Sequence, residues 1–136
     1  MSVSNDIREA LEAQLLTVAT LPSNQDWENV PFTRPSNASW VRVRWQPNTA
    51  EGGAMGSSPP ILHSGIMLVD VFAPEENGTS AVESIVDDIR AVFEPGQILT
   101  AASGQKVVIR RSQRSPGRSD PPFWMIPVTI QWWAQE

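Results

Sequence analysis

Hydrophobic residues recur with two different periods along this chain, and each period predicts one type of element. Near the N-terminus they return every three or four residues, as they do on the buried face of an α-helix. This helix is predicted over residues 5–20, with Ser4 or Asn5 as its cap and Pro22 as its stop. Its apolar face carries Ile7, Leu11, Leu15 and Val18.

Further along, the period changes to that of β-strands. Residues 39–46 alternate, and a strand places alternate side chains on opposite faces. One face carries Val41, Val43 and Trp45, and the other carries Trp40, Arg42 and Arg44. Residues 61–72 are almost continuously apolar, which indicates a central strand. The Gly-, Ser- and Pro-rich stretch 47–60 then predicts a β-hairpin with a long, mobile tip, and a short extended piece is expected at residues 30–33.

A second helix is predicted after the turn at residues 73–77. Ser80 followed by Glu83 is the pattern of a capping box, and Pro95-Gly96 ends the helix soon after Phe93. Its apolar stripe comprises Val82, Ile85, Val86, Ile89 and Phe93.

The C-terminal third returns to strands. Residues 97–100 and 106–112 form a predicted hairpin, residues 113–122 a loop, and residues 123–133 the last strand. The order of elements indicates an α+β fold in one domain, residues 1–136. We expect a single-layer, mostly antiparallel sheet of four or five strands, with two helices packed on one face.

Tryptophan lies on both faces of this predicted sheet. Trp40 and Trp45 have opposite parity, and so do the neighbours Trp132 and Trp133. Two helices cover only one face, and tryptophan is enriched at the centres of protein interfaces. We therefore expect a neighbouring subunit or partner to cover part of the second face, around Trp40 and Trp133.

Composition excludes several classes of protein. The chain has 136 residues, 40% of them hydrophobic, so a folded domain with a core is expected. It has no cysteine, which rules out disulfides and thiolate metal sites and fits a reducing compartment such as the cytoplasm. No apolar run approaches the ~20 residues of a membrane span. The net charge of −5 argues against general nucleic-acid binding.

Candidate catalytic chemistry is sparse. His63 is the only histidine, and no nucleophile motif accompanies it. The glycines of residues 51–58 lack the following Lys-Ser/Thr and the helix that phosphate binding requires. Asp70 is interpreted as facing the edge of the layer, with a buried arginine pair as the alternative. We expect no enzyme, no metal and no cofactor.

Charge is segregated along the sequence. Basic residues cluster late in the chain and acidic residues cluster around the second helix, which suits head-to-tail contacts that close into a ring. In the predicted contact, arginines of one subunit meet carboxylates of the next. The arginines are Arg110, Arg114 and Arg118, and the carboxylates are Glu83, Asp87 and Asp88. Arg110 is preferred to Arg111, whose face of the strand is more apolar. Phosphate contact by the same arginines is the alternative.

Several strings together resemble the tail terminator proteins of long-tailed bacteriophages, over most of the chain. They are SNDIREALEAQL, WVRVRW, GIMLVDVFAPEENG leading into SAVESIVDDIRAVF, and VTIQWWA. The resemblance implies a structural virion protein that forms a hexameric ring at the neck end of the tail, caps the tube and stops its polymerisation. The implied partners are further copies of itself, the major tail tube protein and a head-completion or connector protein. Nucleic acid is not expected beyond DNA passing through the ring.

The long tip after Gln46 departs from the family pattern. We interpret it as a flexible docking loop, comprising Glu51, Gly52, Gly53, Met55 and Gly56. Two alternatives stay open. One is a head-completion or other neck protein, and the other is a small nucleic-acid-binding module that uses Arg110 to Arg118, with Trp40, Arg42 and Arg44 able to stack bases.

Overall fold

A computed structural model of the chain describes residues 3–52, 61–75 and 78–136. The described residues form two helices and seven strands. They are α1 (Val3–Leu15), β1 (Gln25–Trp27), β2 (Trp40–Gly52), β3 (Ile61–Pro74), α2 (Ser80–Val92), β4 (Ile98–Thr100), β5 (Lys106–Arg114), β6 (Arg118–Asp120) and β7 (Phe123–Gln135).

The strands form one curled sheet in the order β1-β2-β3-β7-β5-β4. β6 pairs with the first residues of β7, and β5 pairs with the rest of it. Every pairing is antiparallel except that of β1 with β2. The α+β class is confirmed, but the prediction of four or five strands is wrong. The two additional strands, β1 and β6, have only three residues each and carry polar residues. They therefore lack the alternation of apolar and polar residues from which a strand is predicted.

The main core lies between the helices and one face of the sheet, here called the helix-covered face. α1 contributes Ile7, Leu11 and Leu15, and α2 contributes its predicted stripe. The central strands contribute Met67, Val69 and Val71 from β3, and Ile126, Val128, Ile130 and Trp132 from β7. The predicted apolar faces of both helices are therefore confirmed.

The helix ends differ from the sequence-based prediction. α1 ends at Leu15, and a series of turns bonds Thr17, Val18 and Leu21 to the preceding carbonyls. α2 begins at Ser80, with Thr79 as its cap residue and no capping bond from a side chain. The capping box predicted from Ser80 and Glu83 is therefore wrong. The backbone N–H of Glu83 instead donates to the Thr79 carbonyl at 2.9 Å.

The β2–β3 hairpin is longer than predicted. Its strands pair as far as Gly52 and Ile61, across a register shift between Pro47 and Thr49. Glu51 and Gly52 of the predicted docking loop thus end a strand. Gly53, Met55 and Gly56 lie outside the described residues. No described helix has the length and hydrophobicity that a membrane crossing requires.

Candidate interaction surfaces

The second face of the sheet is covered at one end by the chain itself. Trp40, Phe72, Phe123 and Met125 form a buried cluster there, here called the aromatic end cluster. Trp40 stacks on Phe72 with ring centroids 3.9 Å apart. Phe32 also stacks on Trp40, with ring centroids 5.3 Å apart, and the Arg34 guanidinium lies 5.3 Å from the Trp40 ring centroid.

Trp40 is therefore only 2% exposed. The expectation that a partner covers Trp40 is wrong, because the segment that connects β1 to β2 covers it. Phe32 and Arg34, which sequence reasoning missed, do so. An isolated aromatic residue in an irregular segment carries no periodic signal that would have identified it.

Beside this cluster, a buried ion pair crosses the two long strands. Asp70 is 8% exposed. Its Oδ2 accepts hydrogen bonds from Arg42 Nε at 3.1 Å and Nη2 at 2.9 Å. The preferred interpretation of Asp70, at the edge of the layer, is wrong, and the arginine-paired alternative is confirmed. The Arg42 guanidinium is therefore occupied by an ion pair within the chain.

The rest of the second face carries a mixed apolar and basic surface, here called the open sheet face. Strand register places Leu68 between Arg44 and Thr129, and Trp133 between Ser64 and Val108. Its half-buried apolar side chains are Ile66, Leu68, Val108 and Trp133, with exposed Arg44 and Arg111 on its two flanks. The two described helices pack on the opposite face, so neither of them covers this one.

A β-bulge decides which arginine joins the open sheet face. Ile109 pairs with Trp132 and Arg111 pairs with Gln131, so Arg110 is the extra residue in β5. Both arginines are exposed. The strand-parity reasoning that assigned Arg111 to the more apolar face is wrong, because the bulge moves Arg111 to the face of Val108.

Arg114 lies on the helix-covered face and pairs with Glu83 of the same chain. This contact was predicted between neighbouring subunits. Asp87 and Asp88 are both exposed, and Asp88 accepts a hydrogen bond from Thr20 Oγ1 at 2.7 Å. Arg118, in β6, is exposed too. The structure therefore leaves Arg110, Arg118, Asp87 and Asp88 accessible for a contact between subunits, while Arg114 and Glu83 hold β5 to α2.

His63 lies beside the C-terminal residue, with its Nε2 3.6 Å from Glu136 Oε2. In residues 3–52, 61–75 and 78–136, no three His, Asp or Glu residues converge as metal ligands.

Between α1 and the edge of β2 lies a cavity of about 430 Å³, bordered by Arg8, Glu12, Glu28 and the side chains of Trp27 and Trp45. Burial raises the pKa of Glu12 above its ordinary value; Arg8 opposes this, whereas Glu9 and Glu28 reinforce it. A raised pKa in the folded state means that folding favours the protonated carboxyl. The stability from this preference is present at low pH and is lost as pH rises through the folded-state pKa.

Replacing Glu12 by glutamine is therefore expected to stabilise the protein at pH 7. The gain should disappear below about pH 4, where wild-type Glu12 is also protonated in both states. Urea unfolding at pH 3.5, 5 and 7 measures this, with Glu94→Gln as the control, because Glu94 is exposed and does not contribute to the shift at Glu12. A difference between Glu12→Gln and wild type that is the same at all three pH values contradicts the assignment.

Comparison with solved structures finds the same fold in chains of low sequence identity. One similar structure, identified only by a protein sequence number, has a TM-score of 0.77 at 20% identity, covering 100% of this chain and 97% of that one. Another is a chain from the virion of a native gene transfer agent particle. It has a TM-score of 0.64 at 13% identity, covering 99% of this chain and 98% of that one. No curated protein matches in sequence.

These likenesses define the class of fold. The family is shown by sequence, because the model for phage tail terminator proteins matches residues 6–132. The chain therefore belongs to the phage tail terminator family. It is a structural protein of the phage tail, and its family is not one of enzymes.

Proposed function

We propose that the protein closes the tail tube as a ring of identical subunits, most simply a hexamer. One side of the ring stops polymerisation of the major tail tube protein, and the other receives a head-completion or connector protein. The observation that carries this is the open sheet face in a chain of this family. An apolar patch around Trp133, flanked by Arg44 and Arg111, suits burial in an assembly.

Charge supports a head-to-tail arrangement of the subunits. The exposed Arg110 and Arg118 lie on β5 and β6, and Asp87 is exposed on α2. Basic and acidic surfaces at different places on one subunit allow the basic surface of each copy to meet the acidic surface of the next. Because Arg114 and Glu83 bind each other within the chain, we leave both out of this contact.

Reversing the charge of Arg110 and Arg118 together, to glutamate, is expected to weaken assembly. An exposed pair contributes ~0–1 kcal/mol, so losing two and adding repulsion should weaken association by about tenfold. Light scattering measures the assembled mass, and electron microscopy of tails made in infected cells measures capping and tube length. Replacing Asp87 by arginine in the same variant should restore part of the assembly.

Thermal melting of the double variant checks that the subunit still folds. Wild-type protein that is strictly monomeric and also leaves isolated tail tubes uncapped contradicts the ring. Protein found only on the portal side of the neck identifies a head-completion protein instead. The proposed docking role of residues 51–56 is tested in the same tails by deleting residues 53–58.

The nucleic-acid alternative loses its base-stacking residues. It used the arginines from Arg110 to Arg118, with Trp40, Arg42 and Arg44 as a surface that stacks bases. Trp40 is buried in the aromatic end cluster, and Arg42 is bound to Asp70. Of these three residues, Arg44 alone is exposed. The exposed Arg110, Arg111 and Arg118 keep phosphate contact as the alternative.

A further inference from the structure

β4 is an edge strand with a regular set of outward-facing backbone groups. Gly96 N–H donates to the Ile109 carbonyl at 2.7 Å, Ile109 N–H to the Gln97 carbonyl at 2.9 Å, and Ala101 N–H to the Gln105 carbonyl at 2.8 Å. Leu99 pairs with Val107 between them. Backbone groups alternate in direction along a strand, so the N–H and C=O of Ile98 and Thr100 point away from β5. No described strand pairs with β4 on that side.

Two cavities flank this edge, one on each face of the sheet. On the helix-covered side, a cavity of about 500 Å³ separates β4 from α1 and is lined in part by small side chains, among them Ala10, Ala13 and Ala101. On the other side, a cavity of about 570 Å³ is lined by Val108 and Trp133 of the open sheet face. Ile98 borders both and is 59% exposed.

We propose that β4 is the acceptor for an added strand, supplied by a second copy of this chain. An extended segment laid along Ile98–Thr100 bonds its backbone to the outward N–H and C=O groups. Its side chains alternate between the two cavities, as in other cases of strand addition.

The opposite end of the same sheet provides the donor. β1 pairs with β2 only over residues 41–43. At Trp45, the outward N–H of β2 is occupied by the Glu28 carboxylate. Pro47 has no N–H to donate. From Thr49 to Gly52 the backbone of β2 is extended and paired only with β3 in the described part of the chain, so its other edge is available.

Charge also favours a second copy. Acidic residues, Asp26 and Glu28, border the β1–β2 edge. An exposed basic residue, Lys106, lies on β5 opposite Thr100 of β4. Contact between two different edges is a heterologous interface. When each copy repeats this contact with a suitable rotation, the copies close into a ring. This pairing rests on the proposed ring function and names the contact that builds the ring.

Replacing Ile98 by proline tests the backbone contact. Proline removes the outward N–H, and a strand edge tolerates proline where that N–H makes no ladder bond. Ile98→Ala is the matched control, because it shortens the side chain but keeps the N–H. We expect Ile98→Pro to lower the assembled fraction by at least tenfold, and Ile98→Ala to lower it less, with both folded by circular dichroism. An Ile98→Pro variant that assembles like wild type overturns the proposal.

Photo-crosslinking identifies the occupant even if the proline variant fails to fold. A benzophenone side chain replaces Thr100, and ¹⁴N- and ¹⁵N-labelled copies are mixed so that mass spectrometry separates crosslinks between copies from those within one. Crosslinks between copies to residues 46–52, in assembled rings or capped tails, support the proposal. Crosslinks to another segment, to another tail protein, or to none overturn it. If the wild-type protein forms rings but gives none of the expected crosslinks, the strand contact is contradicted and the proposed ring function is retained. If wild-type tails carry no rings, the strand contact and the ring function are both contradicted.

Discussion

Replacing Gly65 by alanine is expected to destabilise the domain by about 3 kcal/mol or more, because the added methyl group has no space to occupy. A Cβ at this position would lie 2.5 Å from the Gln46 carbonyl oxygen and 2.8 Å from Cζ2 of Trp132. The first contact is with backbone in the adjacent strand, which moves only if the β2–β3 pairing shifts. The second is with an indole fixed in place, since Trp132 stacks on Trp45 at 4.8 Å, with ring planes 3° apart.

A smaller side chain at Trp132 should recover part of this lost stability. Trp132→Phe in the Gly65→Ala background removes the atoms near the new methyl group, but leaves the clash with Gln46. Urea unfolding of the two single variants and the double variant gives the coupling energy, which we expect to be favourable and above about 0.5 kcal/mol. Gly104→Ala is the control: nothing lies within 4 Å of its Cβ, so only its positive φ of 95° costs stability, about 1–2 kcal/mol. Equal losses at the two glycines contradict the packing explanation.

The pattern of hydrophobic residues was sufficient to predict the long elements. Both helices, the two hairpin strands and the last strand are found where periodicity predicted them, and the apolar stripe of α2 is buried as expected. Periodicity is informative over a dozen residues because one face must meet the core. It is silent for β1 and β6, whose three residues form strands only because a longer neighbour supplies the partner.

The candidate surface was predictable in kind but not in detail. Opposite parity at Trp132 and Trp133 correctly placed tryptophan on both faces, and the open sheet face around Trp133 follows from it. Parity could not show that Phe32 folds over Trp40, because that contact joins an irregular segment to a strand. It also failed at Arg110, because one bulge residue reverses the face of every later residue in the strand.

Charge segregation along the chain was the least reliable guide. Arg114 and Glu83 are 31 positions apart and were assigned to different subunits, yet the fold places them in contact. A run of like charges predicts that the residues need partners or solvent. Whether the partner belongs to the same chain depends on how β5 lies beneath α2, and this depends on the packing of both elements on the sheet.

The buried Arg42–Asp70 pair should be sensitive to the loss of one partner and tolerant of the loss of both. Asp70→Leu leaves the Arg42 guanidinium without its carboxylate, in a position where it stays 27% exposed and packs 5.3 Å from the Phe72 ring centroid. Breaking a fully buried pair costs about 3–5 kcal/mol, and the remaining solvent contact should reduce this to about 2–3 kcal/mol.

Adding Arg42→Met to Asp70→Leu should bring stability back to within about 1 kcal/mol of wild type, since an apolar pair of similar volume needs no desolvation of charge. The introduced methionine side chain would keep the contact with Phe72 that the Arg42 side chain makes now. Arg44→Met, one step further along the same face of β2 and exposed, is the control and should change stability by less than about 0.5 kcal/mol. Chemical unfolding of the wild type and the three variants decides the matter. If Asp70→Leu unfolds at the same urea concentration as Arg44→Met, the pair does not hold β2 to β3, and the stacking of Trp40 on Phe72 alone secures that end of the sheet.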